Sequence, residues 1–178
     1  MVCTGNTCRS PMAGAILADE LARLGVAARV HSAGTHAVPG PPSPGATAAL
    51  RARGLDLADH RSRRTQLEDL RAADLVLGMT RDHVVAARAA APDRADRAFL
   101  PGELARLGAA VGPRRPDEPP ADWVVRVARR RPDPPVPARP EDEVPDPAGG
   151  SDELYRATAE RLAASLSRVA RLLGGAPV

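Results

Sequence analysis

The sequence predicts an α/β fold in which short strands alternate with helices. Three observations carry this. Met12, Ile16, Leu17, Leu21 and Leu24 recur at helical spacing, and an alternating stretch from Val26 to His31 follows them. Asp74-Leu75-Val76-Leu77-Gly78-Met79 is an apolar run of the length of a buried parallel strand, with helical segments on either side. Ser151 to Leu173 closes the chain as one long amphipathic helix. Strands and helices in alternation pack as helices on a mainly parallel sheet.

The first element is a loop, Cys3-Thr4-Gly5-Asn6-Thr7-Cys8-Arg9-Ser10-Pro11. Small and turn-forming residues between a cysteine and an arginine let it curl with its backbone N–H groups inward, a nest for a tetrahedral anion. Ser10 is a favoured N-cap and Pro11 a favoured first helical residue, so the first helix is expected to start there and aim its positive end into the loop. Arg9 offers a planar fork that fits two phosphoryl oxygens. Cys3 supplies a nucleophile, and the helix end, the inward N–H groups, the guanidinium and the Ser10 hydroxyl all favour its thiolate.

The first helix ends at Gly25 and the strand Val26 to His31 follows. A proline-rich surface loop runs on to Gly45, and a helix over Ala46 to Arg53 stops at Gly54. Leu67 to Ala72 reads as a short helix and Asp74 to Met79 as the clearest strand. Thr80 caps the next helix, with Val84, Val85 and Ala89 on its inner face, and Ala98-Phe99-Leu100 is a short last strand. Residues 112 to 143, rich in proline, arginine and acids, read as an insertion around one amphipathic piece, Ala121 to Arg130, with a flexible surface linker as the favoured account. The final helix lines up Leu154, Leu162, Leu166, Val169 and Leu173 to pack on the sheet.

With 178 residues, 43% of them hydrophobic, the chain suits one domain, 1–178. No run approaches the roughly 18 apolar residues of a membrane helix and no leader is apparent, so a cytoplasmic protein is expected. All 25 basic residues are arginine, against a net charge of +3, and 2% aromatic content leaves no stacking platform for nucleic acid. Two cysteines suit reactive thiols better than a disulfide scaffold. They make a poor zinc site, two ligands short, and no cofactor or metal is expected.

The CTGNTCRSP stretch resembles the active-site loop of the low-molecular-weight protein tyrosine phosphatases, most closely their bacterial branch. The resemblance implies a three-layer α/β/α fold with a four-stranded parallel sheet of phosphatase I, flavodoxin-like topology. It implies Cys3 as nucleophile, Arg9 as phosphate clamp, and Thr4, Gly5, Asn6, Thr7, Cys8 and Ser10 as the substrate-binding loop. Ser32-Ala33-Gly34-Thr35 resembles the next strand-to-loop junction, leading to the active-site rim. Asp59-His60-Arg61-Ser62-Arg63 is similar to a segment whose histidine braces the loop through Asn6 and Ser10. Because the family's loop follows a central strand and only Met1 and Val2 precede Cys3, an apolar strand ending at Val2 is expected to begin upstream of the given sequence.

A thiolate displaces the leaving group well only if that group is protonated, so a general acid is needed. Val144-Pro145-Asp146-Pro147-Ala148-Gly149-Gly150 resembles the family's Asp-Pro loop and makes Asp146 the candidate. Asp133-Pro134 repeats the dipeptide, but no glycine pair or capped helix follows it. Cys8 is expected to trap oxidised Cys3 as a disulfide.

The expected activity is removal of phosphate from phosphotyrosine in proteins through phosphocysteine. The usual aromatic walls are missing, with His36 and prolines at the rim and Ala148 after Asp146-Pro147. Thr7, the Gly149-Gly150 pair and Tyr155-Arg156-Ala157-Thr158 are similar to the bacterial protein arginine phosphatases, which gives phosphoarginine as the alternative substrate. Arsenate reduction and a phosphate-binding module without turnover are the remaining alternatives.

Overall fold

The structure is a computed structural model, and it describes residues 1–132 and 139–178; Asp133 lies outside the described residues. Among the described residues there are four short strands: β1 (Val2–Cys3), β2 (Ala33–Gly34), β3 (Val76–Leu77) and β4 (Ala98–Phe99). β1 pairs parallel with β2, Val2 opposite Ala33, and β3 pairs parallel with β4, Val76 opposite Ala98. A single parallel bridge from Val2 to Gly78 joins the two small sheets, with the Met79 N–H donating to the Val2 carbonyl at 2.9 Å.

The helices are α1 (Arg9–Arg23), α2 (Pro44–Arg51), α3 (Leu67–Ala72), α4 (Arg81–Ala90), α5 (Pro101–Val111), α6 (Pro120–Ala128) and α7 (Asp152–Leu173). Successive strand residues point to opposite faces, and that alternation divides the interior in two. Cys3, Leu77 and Phe99 join Met12, Ile16, Leu50, Leu104, Trp123, Leu162 and Leu166 in the larger core, whereas Val2, Val76 and Ala98 pack with Leu70, Val84 and Ala87 of α3 and α4. Helices therefore cover both faces of the strands. Among the described residues no helix is long and apolar enough to cross a membrane.

Several local expectations need correction. The stretch Val26 to His31 forms no ladder, because its carbonyls meet only the Met1 ammonium, at His31, and the rest borders a cleft of about 1030 Å³ beside residues 73–76. Likewise only Val76–Leu77 of the Asp74 to Met79 run is strand. α1 begins earlier than expected, with Cys8 at its N-cap, so the Ser10 hydroxyl is not used as a cap. α2 starts at Pro44 rather than Ala46, because Ser43 caps it by accepting the Ala46 N–H at 3.3 Å. On α4 the inner face is His83, Val84 and Ala87, one step round from Val85 and Ala89, which are exposed. Leu154 of α7 faces outward and Tyr155 inward, and the helix packs along α1, α2 and α5.

Residues 101–111 carried no assignment, although Pro101 at the first turn and Leu104, Leu107 and Gly108 inward make α5 a regular amphipathic helix. The segment favoured as a flexible linker holds α6, whose Trp123, Val124 and Val127 are fully buried. The Trp123 indole N–H donates to the Gly112 carbonyl at 3.0 Å. Arg126 grips Glu118 through two bonds of 2.7 and 2.8 Å, and that bonding holds the Glu118 carboxyl down at about 2.

Candidate active site

The loop between β1 and α1 turns back on itself at Asn6, which has φ 55°. Asparagine tolerates this left-handed conformation because its short side chain bonds locally. Here every polar atom of that fully buried side chain is used. Oδ1 accepts the Arg63 N–H at 3.0 Å, and Nδ2 donates to the hydroxyls of Ser10 and Ser32, both at 2.9 Å. The Asn6 carbonyl in turn accepts from His60 Nε2 at 2.7 Å and from the Ser62 hydroxyl at 2.8 Å. His60 thus braces the loop through Asn6 as expected, but it makes no bond to Ser10.

The fate of Ser10 follows. Its oxygen accepts from Asn6, and its own proton has two acceptors in reach, the Cys3 sulfur 2.9 Å away and the Ala33 carbonyl at 3.4 Å. The Asn6 N–H points at the same sulfur from 3.2 Å. Cys3 sits at the end of β1, buried, at the positive end of α1, whose N-cap makes no side-chain capping bond.

Arg9, 5% exposed, lies on the first turn of α1. Its guanidinium donates to the Val144 carbonyl at 3.4 Å and pairs with Asp146 at 2.5 Å. The segment before α7 is pinned to carry Asp146 there. The Val144 N–H donates to the Met79 carbonyl at 2.8 Å, and the Arg81 N–H and Arg161 Nε hold Glu143 at 2.8 Å each. The outer oxygen of Asp146 accepts the Ala148 N–H at 3.2 Å. Cys3 and Arg9, six residues apart, and Asp146, more than 130 residues further along, meet at one loop.

The remaining loop residues face its neighbours. Gly5 stands half-buried at the turn. The Thr7 carbonyl accepts the Ser43 N–H at 2.9 Å, and the Thr7 hydroxyl lies 3.5 Å from the Cys8 sulfur. Cys8, a free thiol like Cys3, donates to the Ser43 hydroxyl at 3.2 Å and lies 3.8 Å from the Tyr155 hydroxyl. Burial, chiefly, holds that phenol above its ordinary range. β2 passes so close behind the loop that a Cβ on Gly34 would meet the Asn6 amide at 2.9 Å and overlap the Thr4 carbonyl.

Four neighbours were not singled out as site residues: Ser32, Ser43, Thr80 and His83. Ser32 directly precedes β2 and Ser43 is the N-cap of α2. His83 carried one signal, its place three residues after the Thr80 cap. It is 5% exposed and reaches the Thr4 hydroxyl with Nε2 at 3.0 Å.

The chain matches the family model described as low molecular weight phosphotyrosine protein phosphatase over residues 1–103. It is 46% identical over 83 residues to the protein-arginine-phosphatase of Bacillus subtilis, covering 46% of this chain and 55% of that one. It is equally, 46%, identical over 87 residues to low molecular weight protein-tyrosine phosphatase A of Mycobacterium tuberculosis, covering 46% of this chain and 52% of the relative. The matched stretch thus spans about half the length of either relative. The low molecular weight protein tyrosine phosphatase of T. tengcongensis superposes with a TM-score of 0.73 at 33% identity, over 97% of this chain and 96% of that one.

Proposed function

Because this chain belongs to the low molecular weight phosphotyrosine protein phosphatase family, we propose that it removes phosphate from phosphotyrosine in proteins through a phosphocysteine intermediate. The observation that carries this is the Cys3 sulfur receiving the Asn6 N–H and lying 2.9 Å from the Ser10 hydroxyl while the Arg9–Asp146 pair closes the same loop.

The Cys3 thiolate attacks phosphorus in line with the departing oxygen, and an S–P bond forms as the P–O bond breaks. The equatorial oxygens lie among the loop N–H groups and the Arg9 fork, which stabilise the spread charge of the transition state. Asp146, protonated, gives its proton to the leaving phenolate. The carboxylate so formed then takes a proton from water as that water attacks phosphorus, releasing inorganic phosphate and the thiolate. As phosphoryl oxygens take up the guanidinium, Asp146 exchanges Arg9 for the leaving group. The whole chain is read as one domain with an insertion at 112–143. The two short sheets are read as parts of one four-stranded parallel sheet ordered β2-β1-β3-β4, in the flavodoxin-like topology. The site as a whole requires a phosphorylated protein and no metal, and the protein is assigned to the cytoplasm.

The test is hydrolysis of para-nitrophenyl phosphate, a phosphotyrosine peptide and phosphoarginine side by side, with Cys3→Ser as control. Turnover of phosphotyrosine that vanishes in the variant supports the proposal, and phosphotyrosine turnover that survives it sinks the mechanism.

Phosphoarginine is the second substrate to consider, favoured by one observation. Thr7 sits in the loop with its hydroxyl beside Cys8, where it can position water or a polar phosphoramidate. Thr7→Ile is expected to raise the phosphotyrosine-to-phosphoarginine activity ratio. An unchanged ratio would remove Thr7 as the selector.

A further inference from the structure

The buried ring of His83 is used by neither step of the proposed reaction, yet it connects the phosphate loop to α4. Its Nδ1 lies 3.1 Å from the Thr80 backbone N–H and 2.7 Å from the Thr80 hydroxyl. A backbone N–H can only donate, so Nδ1 is the acceptor and the ring proton of a neutral imidazole sits on Nε2. Nε2 therefore donates to the Thr4 hydroxyl 3.0 Å away. Thr4 accepts from the ring, so its own proton is left for donation on the exposed side, at the mouth of the loop.

We infer that His83 is a positioning residue of this site: as a neutral imidazole it orients the Thr4 hydroxyl as a donor beside Cys3 and ties the nucleophile's end of the loop to α4. A protonated ring would present an N–H to the Thr80 N–H and lose that anchor. Burial, and next the Arg9 guanidinium, hold His83 below the ordinary histidine range, with Asp82, Asp146 and Glu143 opposing. The neutral form is thus present at pH 7 and is lost only as pH falls through that lowered value. The inference rests on the phosphatase proposal, which wild-type turnover and Cys3→Ser test separately.

Two substitutions divide the ring's contacts. Asparagine places an oxygen where Nδ1 lies, keeping the bond to Thr80 but falling short of Thr4. Glutamine places an N–H where Nε2 lies, keeping the bond to Thr4 without a titrating group. His83→Asn is expected to melt close to wild type while kcat for para-nitrophenyl phosphate drops about 3- to 10-fold, the worth of one hydrogen bond. Thr4→Val should show a similar drop, and the double variant should be no slower than the worse single one, since both remove one interaction. His83→Gln should keep more activity than His83→Asn and lose one ionisation from the acid side of the kcat profile. A kcat for His83→Asn within twofold of wild type, losses that multiply in the double variant, or an unchanged acid limb in His83→Gln would each overturn the inference.

Discussion

Asp146 is half-exposed, while its partner Arg9 is almost wholly buried. In the proposed reaction that asymmetry suits a carboxyl that changes partners, since the exposed group has room to swing while the buried guanidinium is held. Asp146→Ala should slow phosphoryl transfer by about 10²–10⁴, the usual worth of a general acid. The loss should shrink for para-nitrophenyl phosphate, whose leaving group needs less help, and an equal loss for good and poor leaving groups would remove the acid role. Cys3, Asn6, Arg9 and Ser10 were legible in the sequence because the loop is local: nest, fork and helix start lie within a few residues. Ser10 was read both as a helix cap and as a partner of the Cys3 sulfur, and only the second is seen. Whether a serine caps a helix or faces a sulfur depends on where the helix begins, and Cys8 takes the cap here. His83 was hidden for another reason, since it meets the loop across 79 residues and no resemblance pointed to it.

At the level of elements, the loop is shaped as much by β2 as by its own residues. The Thr35 and His36 N–H groups donate to the Cys3 and Thr4 carbonyls, both at 2.9 Å, and Gly34 lets the two backbones approach. Gly34→Ala should therefore lower kcat by an order of magnitude or more by displacing Thr4 and Asn6, at a cost of about 1–3 kcal/mol for an overpacked site. Urea melts and turnover of the variant check this, and wild-type values for both would show that the gap accepts a methyl. Helix existence was well read from periodicity, whereas helix phase was not. On α4 Val85 and Ala89 were read as inward in place of His83 and Ala87, because an alanine-rich helix offers little contrast between its faces. Strand length was overread, since an apolar run records burial and says nothing of whether a ladder partner lies alongside.

For the molecule as a whole, the two cores on opposite faces of the strands account for most of the apolar residues the sequence marked. The segment around 112–143 is where composition misled. Proline and arginine suggested a linker, but Arg126 and Arg114 spend their guanidinium groups on Glu118 and on carbonyls of the segment and of α7, and α6 is fastened into the larger core. Trp123→Ala should cost about 3–5 kcal/mol, the usual loss for a fully buried large aromatic, against the roughly 5–15 kcal/mol by which domains are stable. A loss under about 1 kcal/mol in urea melts would place α6 outside the cooperative unit. The same side chain has an optical consequence. As the chain's single tryptophan, sealed from water with its indole N–H on Gly112, it should emit at short wavelength in the folded protein and shift to the red when α6 lets go, so unlabelled protein carries its own fluorescent gauge of whether that segment is docked.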